Sequence, residues 1–216
     1  MLVEEIMNTN VITLQPSHTI KDAVKIMKEH KIRHLPITDN HNKLVGLITE
    51  RDLKNALPSS LLKNKDERVY EQTLETVMIS QPIVGHPLDF IEEVALILYE
   101  HRIGCMPIVS GGELVGIITG TDLLYAYIEI TGATKPSSQI EIRVSDKIGT
   151  LHEITQIFTN HHASILSVLV YPDKQDEKQK ILSIRVTIMN PLSIIDDLRK
   201  EGFDVLWPNM PGINRQ

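Results

Sequence analysis

The chain has 216 residues, of which 42% are hydrophobic and 23% charged, a composition that indicates a globular protein of one to three small domains. The formal net charge is −6 and no basic patch is visible, which argues against a dedicated nucleic-acid-binding protein. Cys105 is the only cysteine, so an intrachain disulfide is excluded and a reducing compartment is indicated. The N-terminus lacks a signal-peptide pattern and no apolar run is long enough to span a membrane, so we expect a cytoplasmic protein.

Two stretches of about fifty residues repeat each other in register. The clearest copies are Leu44–Leu53 and Leu114–Leu123, each of which predicts a buried strand that turns directly into a helix. The upstream pairs share an offset of 71 residues: Met7 with Met78, Pro16 with Pro87, Ile20 with Ile91, His30 with His101 and Pro36 with Pro107. The offset then falls to 70 across a predicted surface turn, which is where changes in length are tolerated.

The first repeat predicts the order strand, helix, strand, strand, helix. Val11–Leu14 has the composition of a short strand and is ended by Pro16. Thr19 is expected to begin a helix, with Asp22 completing its capping box. The remaining predicted elements are a hairpin and a second helix: strands at 32–37 and 44–49, and a helix from Glu50.

The second repeat predicts the same order after a charged, partly helical connector at residues 59–75. Its short strand is Ile83–Val84, and we expect Asp89 to cap the next helix with Glu92 in the third position. The other predicted elements are a hairpin of strands at 105–109 and 114–119, and a helix from about Thr121 to Ile130.

The C-terminal third of the chain is unlike the repeats. Residues 132–138 are rich in glycine, proline, serine and threonine, which predicts a linker. Beyond it, the alternation of Ile140, Ile142 and Val144 with polar residues indicates a half-buried strand. The complete pattern over residues 139–216 predicts the order βαββαβ, which is that of a ferredoxin-like unit.

The two repeats, residues 1–58 and 76–131, resemble CBS domains. The resemblance rests on their order of elements, on the positions of Pro36 and Pro107, and on the Gly-x-x-Thr-x-x-Asp sequence that closes each repeat. It implies that the two CBS units pair as a pseudo-two-fold module with two clefts.

Residues 139–216 resemble an ACT domain, with the turn Asp146-x-x-Gly149 before the first helix. A CBS pair followed by an ACT domain is similar to the AcuB type of acetoin-utilisation protein. The implied fold class is therefore α/β (α+β), with a paired CBS module and a ferredoxin-like βαββαβ ACT domain.

Many CBS pairs bind adenine nucleotides in their clefts, and the resemblance implies a ligand of the AMP, ADP or ATP class. The closing threonine would contact phosphate or ribose, and the closing aspartate would hold the ribose hydroxyls. The implied nucleotide-binding residues are Thr49, Asp52, Arg51, Thr13 and Ile37 in the first repeat, and Thr119, Asp122, Val84 and Ile108 in the second.

The chemistry of the closing sequence suits such a ligand. Free N–H groups and a partial positive charge make a helix N-terminus favourable for phosphate, and a carboxylate accepts hydrogen bonds from vicinal hydroxyls. Arg51 would add a bidentate donor, and its replacement by Thr121 in the second repeat suggests clefts of different affinity. Thr-x-x-Asp is also an ordinary capping box, so capping alone remains an alternative.

In ACT domains, the turn after the first strand and the start of the next helix bind amino acids, often at a dimer interface. The residues implied here are Asp146, Lys147, Gly149 and Thr150. The sequence departs from the family pattern at Ile148, where proline is frequent, and at Ser164, where asparagine is common. An ACT domain that only dimerises is therefore an alternative.

Two further candidates for chemistry have simpler explanations. His161 and His162 are adjacent, so they point apart on a helix, and no acid or cysteine clusters beside them; we expect no metal site. Cys105 has no visible base and is expected to be a small buried residue. His34, its counterpart in the first repeat, is either a partly buried structural residue or one that faces a ligand base.

These patterns predict a non-enzymatic ligand sensor in which a nucleotide binds a CBS cleft and the ACT domain transmits the change across a homodimer. The resemblance to AcuB implies a role in acetoin or acetate catabolism. The alternatives are a structural dimerisation or docking module with degenerate CBS sites, and an amino-acid sensor that acts through the ACT domain. No catalytic residue, cofactor, nucleic-acid partner or membrane partner is expected.

Overall fold

The structure is a computed structural model that describes residues 1–57 and 67–208. Residues 58–66, which include the first eight residues of the predicted connector, and the last eight residues of the predicted ACT domain lie outside these ranges. The chain divides into two compact units, Met1–Leu124 and Tyr125–Gln216. Within the described residues, no helix combines the length and the hydrophobicity needed to cross a membrane.

The repeats form two similar sets of helices and hairpins. The first set is α1 (Ile20–His30), β1 (His34–Thr38), β2 (Leu44–Thr49) and α2 (Glu50–Ala56). The second is α3 (Ile91–His101), β3 (Cys105–Ser110), β4 (Glu113–Thr119) and α4 (Gly120–Ile130). Each hairpin is antiparallel, as predicted. Two short 3-10 helices, Glu67–Glu71 and Leu74–Thr76, occupy the described part of the connector.

The two short strands predicted before α1 and α3 do not form. Each is reduced to one parallel bridge, Leu14 with Ile37 and Gly85 with Ile108. In a parallel ladder the next hydrogen bond would come from the N–H two residues further on, which is Pro16 or Pro87. Proline has no N–H, so the pairing stops after one rung.

The caps of α1 and α3 differ. Thr19 and Asp22 form the predicted capping box: the Thr19 hydroxyl donates to Asp22 Oδ2 at 2.8 Å, and Asp22 N donates back to the hydroxyl oxygen at 3.3 Å. The predicted cap of α3 at Asp89 and Glu92 is wrong, because the helix begins one residue later, after Phe90. The Asp89 carboxylate instead accepts from the His86 N–H at 2.7 Å and closes the preceding turn.

The N-terminal segment of each repeat packs on the hairpin of the other repeat. Asn8 exchanges backbone hydrogen bonds with Ile117 of β4, and Ile79 exchanges them with Leu47 of β2. The neighbouring methionine side chains pack on the glycines of these hairpins. A Cβ added at Gly116 would lie 2.5 Å from Met7 Sδ, and one at Gly46 would lie 2.5 Å from Met78 Sδ. The aligned methionines and glycines are therefore partners across the two repeats.

The second unit contains β5 (Ser138–Ser145), α5 (Thr150–Asn160), β6 (Ile165–Pro172), β7 (Gln179–Val186), α6 (Leu192–Lys200) and β8 (Asp204–Trp207). The strands form one antiparallel sheet in the order β6-β7-β5-β8, so the predicted ferredoxin-like fold is confirmed. The inward residues of β5 pack with the apolar faces of α5 and α6, which include Ile154, Phe158, Ile194 and Leu198.

The predicted linker is bound to the sheet of the second unit. The Thr131 carbonyl accepts a hydrogen bond from the Ser167 hydroxyl at 3.0 Å, and Ser137 Oγ accepts one from Arg185 at 3.2 Å. Gly132 has φ +65°, and a Cβ added there would lie 3.4 Å from the Cβ of Leu166. The segment between α4 and β5 is therefore held against β6 and β7 by these contacts.

Candidate functional site

The first closing sequence places Thr49 at the end of β2 and at the N-cap of α2. The Thr49 hydroxyl donates to Asp52 Oδ2 at 2.7 Å, and the Thr49 N–H donates to the same oxygen at 2.9 Å. Asp52 N donates to the Thr49 hydroxyl oxygen at 3.3 Å. The predicted capping function of these two residues is confirmed.

The second closing sequence reproduces this geometry. The Thr119 hydroxyl and N–H donate to Asp122 Oδ2 at 2.7 and 2.8 Å, and Asp122 N donates back at 3.4 Å. In both copies the cap uses Oδ2 alone, and no described residue donates a hydrogen bond to Oδ1. Each aspartate is half-buried, so it can hold the helix and still accept from a ligand.

The first turns that follow the two threonines carry different side chains. In the first repeat, Glu50 Oε1 lies 2.7 Å from Lys54 Nζ, and this hydrogen bond lowers the pKa of Glu50. Arg51 is exposed beside this pair. In the second repeat the corresponding residues are Gly120 and Thr121, and a Cβ added at Gly120 would meet nothing within 4 Å. The second motif is therefore less charged and more open.

His34 and Cys105 lie where the two repeats meet. A Cβ added at Gly104 would be 3.0 Å from His34 Nε2, so the imidazole of the first repeat reaches the start of β3. Burial is the main reason that the pKa of His34 is lowered, with a smaller contribution from Arg33. Burial, together with the charge of Asp52, raises the pKa of Cys105 to about 12, so the thiol stays protonated and is a poor nucleophile.

The residues expected to line the clefts occupy different environments. Ile37 and Ile108 are 0% exposed and pack in the core, so their side chains do not form the wall of an open cleft. Thr13 is half-buried and Val84 is 46% exposed, so both are accessible. A strand buried on both faces gives no alternation from which inward and outward positions can be distinguished, so ligand contact by these four residues stays a prediction.

Sequence reasoning did not single out Arg33 and Gly104 as neighbours of the first motif. Arg33 accepts a backbone hydrogen bond from the Glu50 N–H at 2.9 Å through its carbonyl oxygen, so it directly adjoins the first turn of α2. Arg33 and Gly104 occupy the same position in the two repeats, and this correspondence is visible in the sequence. Their proximity to His34 and Glu50 depends on the pairing of distant segments.

In the second unit, the turn before α5 is held by its own hydrogen bonds. Asp146 Oδ2 lies 2.8 Å from Lys180 Nζ, and the Thr150 hydroxyl donates to the Lys147 carbonyl at 3.0 Å. Gly149 takes φ +94°, which only glycine adopts easily, and Ile148 is fully exposed at the tip. The four residues proposed as an ACT ligand site are thus brought together, and amino-acid binding there stays a prediction.

Across residues 1–57 and 67–208, no group of three or more histidine, cysteine, aspartate or glutamate side chains is arranged to hold a metal ion. His161 Nε2 lies 2.8 Å from Asp197 Oδ2, so this histidine joins the end of α5 to α6. It therefore has a structural contact that the sequence did not indicate.

Comparison with known families identifies the two units. The family model of the CBS domain matches residues 3–59 and 74–129, and that of the ACT domain matches residues 138–203. The chain belongs to the CBS domain family. It is a tandem CBS protein with a C-terminal ACT domain, and its predicted fold class is confirmed.

Solved structures of CBS proteins resemble the CBS part of this chain. AcuB from Vibrio cholerae is 33% identical, with 62% of this chain and 95% of that chain covered and a TM-score of 0.54. The CBS pair of protein MJ0100, solved with 5′-methylthioadenosine and S-adenosyl-L-methionine, is 32% identical, with 62% and 98% covered and a TM-score of 0.52. CBSX2, solved with AMP, is 25% identical, with 60% and 97% covered and a TM-score of 0.53.

Two of the curated relatives are longer than this CBS–ACT chain. Protein MJ1225 of Methanocaldococcus jannaschii is 30% identical over 203 residues, which are 93% of this chain and 65% of the relative. The L-aspartate semialdehyde sulfurtransferase of the same organism is 33% identical over 123 residues, only 22% of its length. The chain thus spans less than two thirds of these relatives, and it shares with the enzyme a CBS fragment, which is a regulatory module.

Proposed function

We propose that this CBS–ACT protein is a non-enzymatic regulatory sensor that binds an adenine nucleotide of the AMP, ADP or ATP class in its CBS clefts. The observation that carries the proposal is that the two oxygens of each carboxylate, in Asp52 and in Asp122, have different hydrogen-bonding environments. One carboxylate oxygen caps the helix, and no described residue donates a hydrogen bond to the other. That oxygen can accept hydrogen bonds from a ribose without loss of the cap.

Thr49 and Thr119 would direct the phosphate towards the first turns of α2 and α4, where the partial positive charge of a helix N-terminus favours an anion. Arg51 would add a charge-assisted donor at the first cleft only. Thr13 and Val84 would contribute accessible side chains, while Ile37 and Ile108 would support the clefts from the core. The two clefts would then differ in affinity.

The relatives support the class of ligand and suggest a context. The neighbouring CBS pairs were solved with AMP and with adenosine-containing thioether and sulfonium compounds. The likeness to AcuB from Vibrio cholerae supports a role in acetoin or acetate catabolism. We further propose a cytoplasmic homodimer in which the ACT domain passes the ligand-dependent change to a protein target.

The decisive experiment is calorimetric titration of the ligand-free protein with AMP, ADP, ATP, NAD and S-adenosylmethionine. We expect saturable heat with an adenine nucleotide, and loss of that heat in Asp52→Ala, in Asp122→Ala or in both. A matched control is Asp22→Ala, which breaks an identical capping box that lies outside the closing sequences. All three variants should lose about 0.5–2 kcal/mol of stability as a lost cap does.

The control separates binding from capping. If Asp52→Ala and Asp122→Ala lose stability as Asp22→Ala does, while the wild-type protein gives no heat with any of the ligands, the nucleotide proposal is wrong. The docking alternative would then apply, because the closing sequences would only cap helices. An amino-acid sensor is the second alternative, supported by the convergence of Asp146, Lys147, Gly149 and Thr150 at one turn. Titration with amino acids would test it.

A further inference from the structure

The two closing sequences share their threonine and aspartate but differ in the charged side chains around them. Beside the first closing sequence the chain carries the cations Arg33, Arg51 and Lys54. The corresponding positions of the second repeat are occupied by Gly104, Thr121 and Leu124, which are uncharged. The repeat has therefore kept the residues that cap the helix while it lost the cations near them.

The cations of the first repeat lie in one neighbourhood. The Arg33 carbonyl accepts a hydrogen bond from the Glu50 N–H at 2.9 Å, and Lys54 Nζ lies 2.7 Å from Glu50 Oε1. Lys54 is the main reason that the pKa of Glu50 is lowered, and the charges of Arg33 and His34 lower it further. Arg33 and Arg51 are both exposed, so each guanidinium group is free of burial and suited to a phosphate.

The second repeat keeps the backbone geometry of this neighbourhood without its charges. The Gly120 N–H donates to the Gly104 carbonyl at 3.2 Å, as the Glu50 N–H does to Arg33. Leu124 is 60% exposed and follows Gly120 by one helical turn. The side chain one turn along the helix is thus apolar where the first repeat has an ammonium group.

A further apolar side chain lies near the second closing sequence. The N–H of the residue after Val84 donates to the Pro107 carbonyl at 3.0 Å, so Val84 runs beside the first half of β3. Cys105, at the start of β3, pairs with Thr119. Val84 is 46% exposed, and its counterpart in the first repeat is Thr13, which carries a hydroxyl group.

This difference in surroundings favours different ligands. Near the second closing sequence a phosphate group would be repelled by the Asp122 carboxylate, and none of the aligned cations would replace the hydration that it loses. An uncharged nucleoside avoids this cost. Its ribose hydroxyls donate to Asp122 Oδ1, and an apolar 5′ group gains from contact with Val84.

We propose that the first cleft binds the phosphorylated adenine nucleotide and that the second binds a neutral adenine nucleoside with an apolar 5′ substituent. This inference rests on the proposed function, because it assumes that each aspartate holds a ribose. Arg33 and Arg51 select for phosphate in the first cleft, and Thr121 and Val84 select against it in the second. The protein then responds to two adenosine compounds that differ in charge.

The test is calorimetric titration of the ligand-free, full-length protein with AMP and with 5′-methylthioadenosine as the neutral probe. We expect protein saturated with AMP to bind methylthioadenosine with unchanged affinity, because the two compounds occupy different clefts. Asp52→Ala should abolish the heat of AMP binding, and Asp122→Ala should abolish that of methylthioadenosine. Rising ionic strength should weaken the binding of AMP only.

Exchange of residues at one aligned position tests the role of charge. Arg51→Thr gives the first cleft the residue of the second and should weaken AMP binding about tenfold, as expected for the loss of a charge-assisted hydrogen bond. Thr121→Arg is the reciprocal change and should strengthen AMP binding at the second cleft by a similar factor. Both positions are exposed, so the fold should be retained.

Lys43→Thr is the control for net charge. Lys43 is exposed and directly precedes β2, at the opposite end of the strand from Thr49. This variant loses the same charge as Arg51→Thr and should bind AMP as the wild-type protein does.

The outcomes separate this inference from the proposed function. If AMP and methylthioadenosine compete for one cleft, or if Arg51→Thr binds AMP as tightly as the wild-type protein, the inference is wrong and the proposed function stands. If neither compound nor any other adenine nucleotide gives heat with the wild-type protein, both are wrong.

Discussion

The three Thr–Asp capping boxes of the first unit share one geometry, with threonine hydroxyl to Oδ2 distances of 2.8, 2.7 and 2.7 Å. A local hydrogen bond between residues three apart needs no tertiary partner, which is why the sequence predicts it well. The Asp89 cap was predicted by the same rule and is wrong. The Asp89 carboxylate accepts a hydrogen bond from the His86 N–H instead, and the helix starts after Phe90.

At Gly116 the absence of a side chain is required by a neighbour. A Cβ there would lie 2.5 Å from Met7 Sδ and 3.3 Å from the Asn8 carbonyl oxygen. We expect Gly116→Ala to lower the unfolding free energy by about 1–3 kcal/mol through overpacking. Chemical denaturation followed by circular dichroism measures this.

Gly120→Ala is the matched control, because a Cβ at that position meets nothing within 4 Å. It should change stability by less than about 0.5–1 kcal/mol, with stabilisation as the expected sign at the start of a helix. Equal losses in the two variants would contradict the close approach of Met7 to β4.

At the scale of elements, β5, β8 and the loop after β6 are joined by Arg143. Its guanidinium Nε lies 2.6 Å from Asp173 and its Nη1 lies 2.9 Å from Asp204. The pKa of Asp173 is lowered, first by the hydrogen bond from the Gln175 N–H and then by the one from Arg143. Nothing local in the sequence indicates an arginine partner thirty residues away.

The lowered pKa of Asp173 gives the acid response of the second unit a definite sign. Its contribution to stability is present above the unfolded-state pKa and is lost as the pH falls through the lower folded-state pKa. We expect the wild-type protein to lose stability between about pH 5 and pH 3, and Asp173→Asn to lose less over that range. The fluorescence of Trp207, the only tryptophan, reports the unfolding of this unit because it lies in β8.

Asp176→Asn, in the same loop, is the control, because Asp176 has no ion pair with any residue in the described part of the chain. It should keep the acid response of the wild-type protein. Parallel pH profiles for Asp173→Asn and the wild-type protein would show that the Arg143 contact does not persist in solution.

At the scale of the whole first unit, the repeats are joined by exchange of their N-terminal segments. Met7 and Asn8 pack on β4 of the second repeat, and Met78 and Ile79 pack on β2 of the first. Neither repeat can therefore complete its own hairpin surface, and each stabilises the other. This arrangement also explains why the aligned pairs Met7–Met78 and Gly46–Gly116 occur together in the sequence.

Amide hydrogen exchange can test whether each N-terminal segment pairs with the hairpin of the other repeat. Met7→Ala should loosen the Asn8 pairing and speed exchange at the Ile117 N–H roughly tenfold, while the Leu47 N–H stays protected. Met78→Ala should do the reverse. If each substitution affected only the amide of its own repeat, the observed pairing between repeats would be wrong.

Sequence patterns were enough to predict the repeat, the antiparallel hairpins, the Thr–Asp caps and the βαββαβ order, because each follows from hydrogen bonds and periodicities within a few residues. Only the folded structure shows which repeat each methionine packs on and that Ile37 and Ile108 are core residues. These outcomes depend on contacts between segments roughly 30 to 110 residues apart, and their energies come from packing that no local pattern encodes.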